Sequence, residues 1–100
     1  MVITVFRSRV KSEVQEEYAE WVARMRELAA KKPGFISHKG FRADDGERVS
    51  IVEFESEEAQ RAWRTHPEHV AAQIKGRRDF YEEYRIQVCV LQRESVYPKR

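Results

Sequence analysis

The hydrophobic pattern at the start of the chain predicts one strand followed by one long helix. Alternate residues from Val2 to Ser8 would lie on one face of a strand, and the residues between them on the other. The apolar residues that follow are three and four positions apart and form one helical stripe: Val14, Tyr18, Trp21, Val22, Met25, Leu28 and Ala29. The first ten residues are therefore expected to form a strand, and an amphipathic helix is expected to follow.

Polar and helix-breaking residues mark the predicted ends of this helix. Ser12 and Gln15 have the spacing of a capping box, in which the hydroxyl and the amide bond reciprocally to backbone N–H groups of the first turn. Pro33 and Gly34 are expected to stop the helix, because proline cannot continue it and glycine tolerates positive φ.

The remaining pattern predicts two strands, two short helices and a final strand. Asp44-Asp45-Gly46 has the composition of a hairpin turn, Ser56 is a suitable N-cap, and proline after His66 suits the first position of a helix. The predicted elements are strands Phe35–Phe41 and Arg48–Glu55, helix Glu57–Arg64, a third helix carrying Val70 and Ile74 that Gly76 weakens, and strand Tyr84–Arg93.

The order β-α-β-β-α-(α)-β predicts an α+β fold of the ferredoxin-like kind. A four-stranded antiparallel sheet would carry the helices on one face. The 100 residues would form a single domain, with residues 95–100 as a mobile tail.

Three of the strands are apolar on both faces, which one layer of helices cannot cover. The opposed sets are Val2 and Phe6 against Ile3 and Val5, Val52 and Phe54 against Val49 and Ile51, and Ile86 and Val88 against Cys89 and Leu91. Apolar surface left in water forfeits about 25 cal/mol per Å². We therefore expect a homodimer that packs sheet against sheet about a twofold axis.

The composition of the chain argues against nucleic acids and membranes as binding partners. The chain has 19 basic and 17 acidic residues, and this balance does not predict nucleic-acid binding. Arg or Lys interrupts every apolar stretch before it reaches the ~18 residues of a membrane span, so no membrane partner is expected. The N-terminus lacks a secretion-signal pattern, and the single cysteine, Cys89, allows no internal disulfide. These features predict a cytoplasmic protein in which Cys89 is a buried, unreactive thiol.

Most residues able to carry chemistry fall between Trp63 and Tyr84. Histidine can take a proton from a phenol, arginine can stabilise the resulting oxyanion, and tryptophan offers a flat apolar wall. These residue types predict a pocket for a planar, ionisable molecule between the sheet and the second and third helices. In this interpretation the base is His69 or His66, and the substrate-binding residues are Trp63, Gln73, Arg77, Tyr81 and His38.

Several of these residues also have a structural explanation. Trp63 can anchor a short helix in the core, and His66 can cap the helix that follows it. Arg77 can be a solvated charge, and His38 can lie at the dimer face instead of in the pocket. His66 and His69 are three residues apart, but two imidazoles without a matching carboxylate make a weak metal site.

Four segments, in their order along the chain, carry a family resemblance. They are the strand Val2–Arg9, the turn Pro33-Gly34-Phe35, the run Val52–Ala59 leading to Trp63, and His69–Gln73. Through them nearly the whole chain resembles the antibiotic biosynthesis monooxygenase (ABM) family of small dimeric α+β-barrel proteins. The resemblance implies a ferredoxin-like fold, a homodimer through the sheets and a pocket between sheet and helices. Some members oxygenate polycyclic phenols or quinols with molecular oxygen and without metal or flavin, and others degrade haem.

The family's working positions hold different residues here. Haem-degrading members have a histidine ten residues after the tryptophan and an asparagine late in the first strand, where this chain has Gln73 and Ser8. Quinone-forming members have a tyrosine six residues after the tryptophan and an asparagine four before it, where this chain has His69 and Ala59. The resemblance implies a cofactor-independent monooxygenase for a small phenolic or quinol-like substrate. The alternatives are a ligand-binding protein without turnover and, third, a haem-degrading enzyme.

Overall fold

The computed structural model describes residues 1–98, and its elements follow the predicted order. The strands are β1 (Val2–Val10), β2 (Phe35–Arg42), β3 (Arg48–Phe54) and β4 (Tyr81–Val90), and the helices are α1 (Gln15–Ala30), α2 (Glu57–Arg64) and α3 (Pro67–Lys75). The strands pair antiparallel in the order β2-β3-β1-β4. With the helices packed on one face, this is the predicted ferredoxin-like α+β sandwich.

The predicted capping box at the start of α1 is wrong. Ser12 lies in a 3-10 turn, and its hydroxyl contacts Glu13 instead of a backbone N–H. Gln15 Nε2 donates to the carbonyls of Val10 and Lys11 at 3.1 and 3.2 Å. The glutamine side chain therefore links the start of α1 to the end of β1, because Val10 is the last residue of that strand and Lys11 follows it.

The predicted bounds of the last strand are also wrong. The helical conformation does not end at Gly76. It continues after α3 as a π-helical turn, Gly76–Phe80. This turn shortens the link to the sheet, and β4 begins at Tyr81, which pairs with Val10. β4 ends at Val90; residues 91–98 have no regular secondary structure, and the final two positions of the predicted tail lie outside the described residues.

Two apolar clusters hold the helices on the sheet. Val10, Tyr18 and Phe80 are buried together at one end, and Ala29, Phe54 and Trp63 at the other. All seven residues of the predicted α1 stripe pack in one cluster or the other. The periodicity therefore identified the buried face of α1 correctly.

The face of the sheet that points away from the helices, here called the outer face, is uncovered in a single chain. Ile3, Val5 and Ile51 lie on it, because side chains alternate between the two faces of a strand and Val2 is buried under the helices. Cys89 pairs with Ile3 on this face and is exposed. The prediction of a buried thiol is therefore wrong for the single chain, because the described helices all pack on the opposite face of the sheet.

None of the helices within residues 1–98 has the length and apolar character needed to cross a membrane.

Candidate functional site

A cavity of about 190 Å³ lies between the helices and the sheet. Its roof comes from α1, α2 and α3, and its floor from all four strands. The prediction placed the pocket under the second and third helices alone, but α1 also contributes Trp21 and Met25. Most of the lining is apolar, so the few polar side chains that reach it define its chemistry.

Trp63 and His69 form the centre of the roof. Trp63 is 7% exposed and packs against Phe54 and Ala29, so it is both a core residue and a cavity wall. The imidazole of His69 stacks on its indole ring, with centroids 4.5 Å apart and planes 26° from parallel. Trp63 is therefore a core anchor that also lines the cavity, and its role as a wall for a ligand stays a prediction.

Two helix caps hold this pair in place. The Ser56 hydroxyl accepts a hydrogen bond from Ala59 N at 3.1 Å and starts α2. His66 Nδ1 accepts one from Glu68 N at 3.2 Å and starts α3. Because Trp63 lies in the last turn of α2 and His69 in the first turn of α3, the caps fix the angle at which the two rings meet.

His69 is in a suitable state to accept a proton. Burial lowers the pKa of His69 below its ordinary value of 6.5, which keeps the ring neutral at pH 7. Its Nδ1 lies 3.4 Å from the carbonyl oxygen of Arg64. With the proton assigned to Nδ1, the ring donates to this carbonyl and Nε2 is left with a free lone pair.

The structure separates the two histidines that the sequence offered as bases. His69 lines the cavity, whereas His66 is outside the lining and its Nδ1 is engaged in the helix cap. The two residues are only three positions apart, but the start of α3 lies between them. Sequence spacing alone could not show which ring would face inwards.

The predicted arginine is likewise at the edge of the site. Arg77 is exposed, and its Nη1 lies 3.5 Å from the hydroxyl of Tyr84, which does line the cavity. Arg64, which the sequence analysis did not single out, contributes to the lining directly. The lining thus includes an arginine from α2, whereas Arg77, in the segment after α3, lies outside it.

The sheet adds polar groups to the floor. The lining includes the predicted His38 and also Thr4 and Ser50, which sequence reasoning missed. Burial lowers the pKa of His38, and the charge of Arg26 lowers it further, so this ring is also neutral at pH 7. Thr4 and Ser50 fit an ordinary strand pattern, and only the position of the helices shows that they face a cavity.

Gln73 and Tyr81 complete the set of predicted residues that line the cavity. Tyr81 packs edge-on against Phe6 and Tyr18, with ring centroids 5.5 and 5.6 Å apart. Burial raises the pKa of the Tyr81 hydroxyl well above its usual range, so this phenol stays protonated. It can donate a hydrogen bond but does not act as a base at neutral pH.

The residues present do not fit haem. Gln73, which lines the cavity, stands where haem-degrading members of the family have a histidine, and an amide is a poor ligand for haem iron. A cavity of about 190 Å³ is also below the ~300 to 1,000 Å³ typical of sites for drug-sized ligands, and haem is larger still.

Fold and cavity together define a class: a small α+β protein whose apolar cavity holds a neutral imidazole against an indole ring. Residues 1–75 match the family described as Antibiotic biosynthesis monooxygenase. The chain belongs to this family.

Individual relatives agree with this assignment. The chain is 39% identical to the uncharacterized protein YqjZ of Bacillus subtilis over 93 residues, which cover 93% of this chain and 82% of YqjZ. Rv0793 from Mycobacterium tuberculosis has the same fold, with a TM-score of 0.83 at 16% identity, covering 95% of this chain and 98% of Rv0793. SnoaB from Streptomyces nogalater, described as a cofactor-independent oxygenase, gives a TM-score of 0.79 at 21% identity, covering 98% of this chain and 97% of SnoaB.

Proposed function

We propose that this protein is a cofactor-independent monooxygenase that oxidises a small phenol or quinol with molecular oxygen. The observation that carries the proposal is the neutral imidazole of His69, stacked on Trp63 inside an apolar cavity. A flat ligand can lie along the aromatic wall, and an unprotonated Nε2 can take the proton of its hydroxyl group. Family membership and the description of SnoaB as a cofactor-independent oxygenase support the same function.

The cavity size supports a substrate of one or two fused rings. Its volume of about 190 Å³ is close to that of an engineered cavity of ~150 Å³ that binds benzene, and below that of drug-sized sites. We therefore choose 1-naphthol as the test substrate. Its carbon para to the hydroxyl is free, and it is the carbon that becomes electron-rich when the phenol loses its proton.

The proposed reaction needs no external reductant, because the substrate supplies all four electrons that reduce O₂. His69 takes the hydroxyl proton, and the naphtholate transfers one electron to O₂, giving superoxide and a naphthoxyl radical. The two radicals combine to form a carbon–oxygen bond at the para carbon. His69 returns its proton to the resulting peroxide. The para carbon then loses its hydrogen as a proton to His69, the C–H electron pair forms the new carbonyl, and the O–O bond breaks to release hydroxide, which takes that proton and becomes water. The products are 1,4-naphthoquinone and one water molecule.

The cavity would favour the first step in two ways. Its apolar walls exclude water, which would otherwise stabilise the naphtholate and lower its tendency to give up an electron. Arg64 and the hydroxyl of Tyr81 are among the lining groups that would hold the developing anion in place. Arg77 would act at a distance, through the hydroxyl of Tyr84.

Oxygen uptake with 1-naphthol tests the proposal. The wild-type protein is expected to consume O₂ and form 1,4-naphthoquinone faster than buffer, and His69→Gln is expected to lose about 10²- to 10⁴-fold of that rate. His66→Asn is the matched control, because asparagine can still cap α3 and the residue lies outside the cavity lining. Equal rates for wild type and His69→Gln would contradict the assignment of the base.

A second candidate function, binding of a small aromatic ligand without turnover, is favoured by Ala59. In quinone-forming members this position holds asparagine, but here the alanine packs beside Trp63 and Gly34, outside the cavity lining. A ligand-induced rise in melting temperature with no product under air would support this function over the first.

We also propose that the protein acts as a homodimer through the outer face of the sheet. Ile3, Val5 and Ile51 lie on this face, on which no helix of residues 1–98 packs, and a second copy would bury them and Cys89. Sedimentation equilibrium is expected to give twice the chain mass of 11.9 kDa. Ile51→Glu is expected to shift the equilibrium to monomer, whereas Val70→Glu, at an exposed apolar residue on α3, is not. A wild-type monomer at micromolar concentration would contradict this proposal.

A further inference from the structure

Thr4, in the floor of the cavity, has a buried hydroxyl group without a hydrogen-bond partner. Among the side-chain polar atoms of residues 1–98, its Oγ1 is the one that is buried without a hydrogen-bond partner. The neighbours that flank Thr4 across the sheet are Val52 on β3 and Val88 on β4, neither of which has a polar side chain. A buried hydroxyl without a partner lowers stability, and valine would fill nearly the same volume without that cost.

The position of Thr4 relates this hydroxyl to the proposed substrate. Its side chain lines the cavity floor, and β1 lies between β3 and β4 near the middle of the sheet. His69 lines the same cavity from the helix layer. A ring held between the two layers can therefore reach the imidazole from the helix side and the threonine from the sheet side.

We propose that the Thr4 hydroxyl binds a second oxygen atom on the substrate, so that the preferred substrates are aromatic rings with two oxygen functions. The role of His69 in this arrangement rests on the proposed function. A rotation of about 120° about the Cα–Cβ bond moves Oγ1 from its buried position to another staggered position, where it can face the ligand. This rotation breaks no hydrogen bond, because Oγ1 has no partner to lose. The hydroxyl can donate to a carbonyl or accept from a phenol, so either oxygen function satisfies it.

Binding measured without oxygen tests this inference separately from turnover. The probes are 1-naphthol and two of its relatives with a second hydroxyl, 1,5- and 1,7-dihydroxynaphthalene, titrated calorimetrically under anaerobic conditions. In the wild-type protein the better of the two diols is expected to bind about 3- to 10-fold more tightly than 1-naphthol, the range of one added hydrogen bond. Thr4→Val is expected to abolish that preference and to leave the affinity for 1-naphthol within about 2-fold.

Three further variants and readouts separate a binding role from a structural one. Thr4→Ser keeps the hydroxyl and is expected to retain the preference for the diol. Thr65→Val is the matched control, because this hydroxyl donates to the Arg61 carbonyl on the surface of α2, away from the cavity. Unliganded Thr4→Val is expected to melt at the same temperature as wild type or higher, since it removes an unpaired buried group.

The possible outcomes are distinct. Equal affinity of wild type for 1-naphthol and both diols would overturn the inference, as would a preference that survives in Thr4→Val. A preference that depends on Thr4 in a protein that consumes no oxygen would support the role of Thr4 and contradict the oxygenase. Oxygen uptake without any preference for a diol would contradict the role of Thr4 alone.

Discussion

Replacement of Gly34 by alanine tests how the turn before β2 supports the cavity roof. Gly34 has φ +84°, and a Cβ placed there would lie 2.6 Å from Cβ of Ala59 on α2. The left-handed conformation costs an alanine about 1–2 kcal/mol, and overpacking of this kind adds about 1–3 kcal/mol. The lower entropy of the unfolded chain returns about 0.4–1 kcal/mol. The expected loss in the free energy of unfolding is therefore roughly 1–5 kcal/mol.

Gly46→Ala is the matched control for this substitution. Gly46 also has a positive φ, +90°, but its added Cβ would have no heavy atom within 4 Å. Only the backbone strain of about 1–2 kcal/mol remains there, and after the same entropy return the expected loss is roughly 0–1.6 kcal/mol. Urea unfolding at one fixed protein concentration measures both variants on the same scale.

A double-mutant cycle with Ala59→Gly identifies the clash itself. Removal of the Ala59 methyl group is expected to recover about 1–3 kcal/mol of the loss caused by Gly34→Ala, beyond the cost of the second substitution alone. Equal losses for Gly34→Ala and Gly46→Ala, or a coupling energy of zero in the cycle, would refute the reasoning. Either result would mean that α2 moves away from the turn at little cost.

Three other predictions follow from the site and its supports. Burial lowers the pKa of His69, so the unfolded chain binds a proton at this residue near pH 6.5 and the folded protein does so only at lower pH. The free energy of unfolding should therefore decline as the pH falls below about 6.5. Urea unfolding at pH 7.5 and 5.5 should show this decline, and His69→Gln should reduce it. Gly76→Ala places a Cβ against the ring of Tyr81, so we expect a loss of more than about 1 kcal/mol in urea unfolding and weaker binding of 1-naphthol. Unchanged stability would contradict a close contact between this turn and the ring. Ser56→Ala removes the cap of α2 and should cost about 0.5–2 kcal/mol in thermal or urea unfolding, whereas Ser56→Asp should cost little; equal losses would contradict the capping role.

The buried face of α1 and the cap and bounds of α2 were the most predictable parts of the structure. The α1 stripe, the Ser56 cap and the bounds of α2 follow from short-range rules, since each depends on residues within a few positions of one another. The start of β4 was missed because the π-helical turn at Gly76 has no pattern that separates it from an ordinary helix end.

The site was only partly predictable for a different reason. Trp63, His69, Gln73, Tyr81 and His38 were identified from residue type, and all five line the cavity. Which residues of the other helices and strands line the cavity depends on how the helices cross the sheet, and hydrophobic periodicity does not predict that crossing. For that reason the sequence missed the polar floor residues and Arg64, and did not distinguish His66, a helix cap, from His69.

The source of the oxygen atom in the product decides whether the cavity performs the proposed chemistry. Wild-type protein incubated with 1-naphthol under ¹⁸O₂ is expected to form 1,4-naphthoquinone with one ¹⁸O atom at the new carbonyl group, read by mass spectrometry, and His69→Gln is expected to form it no faster than buffer. Unlabelled quinone under ¹⁸O₂, or no quinone above the buffer rate, would contradict oxygen transfer from O₂ in this cavity.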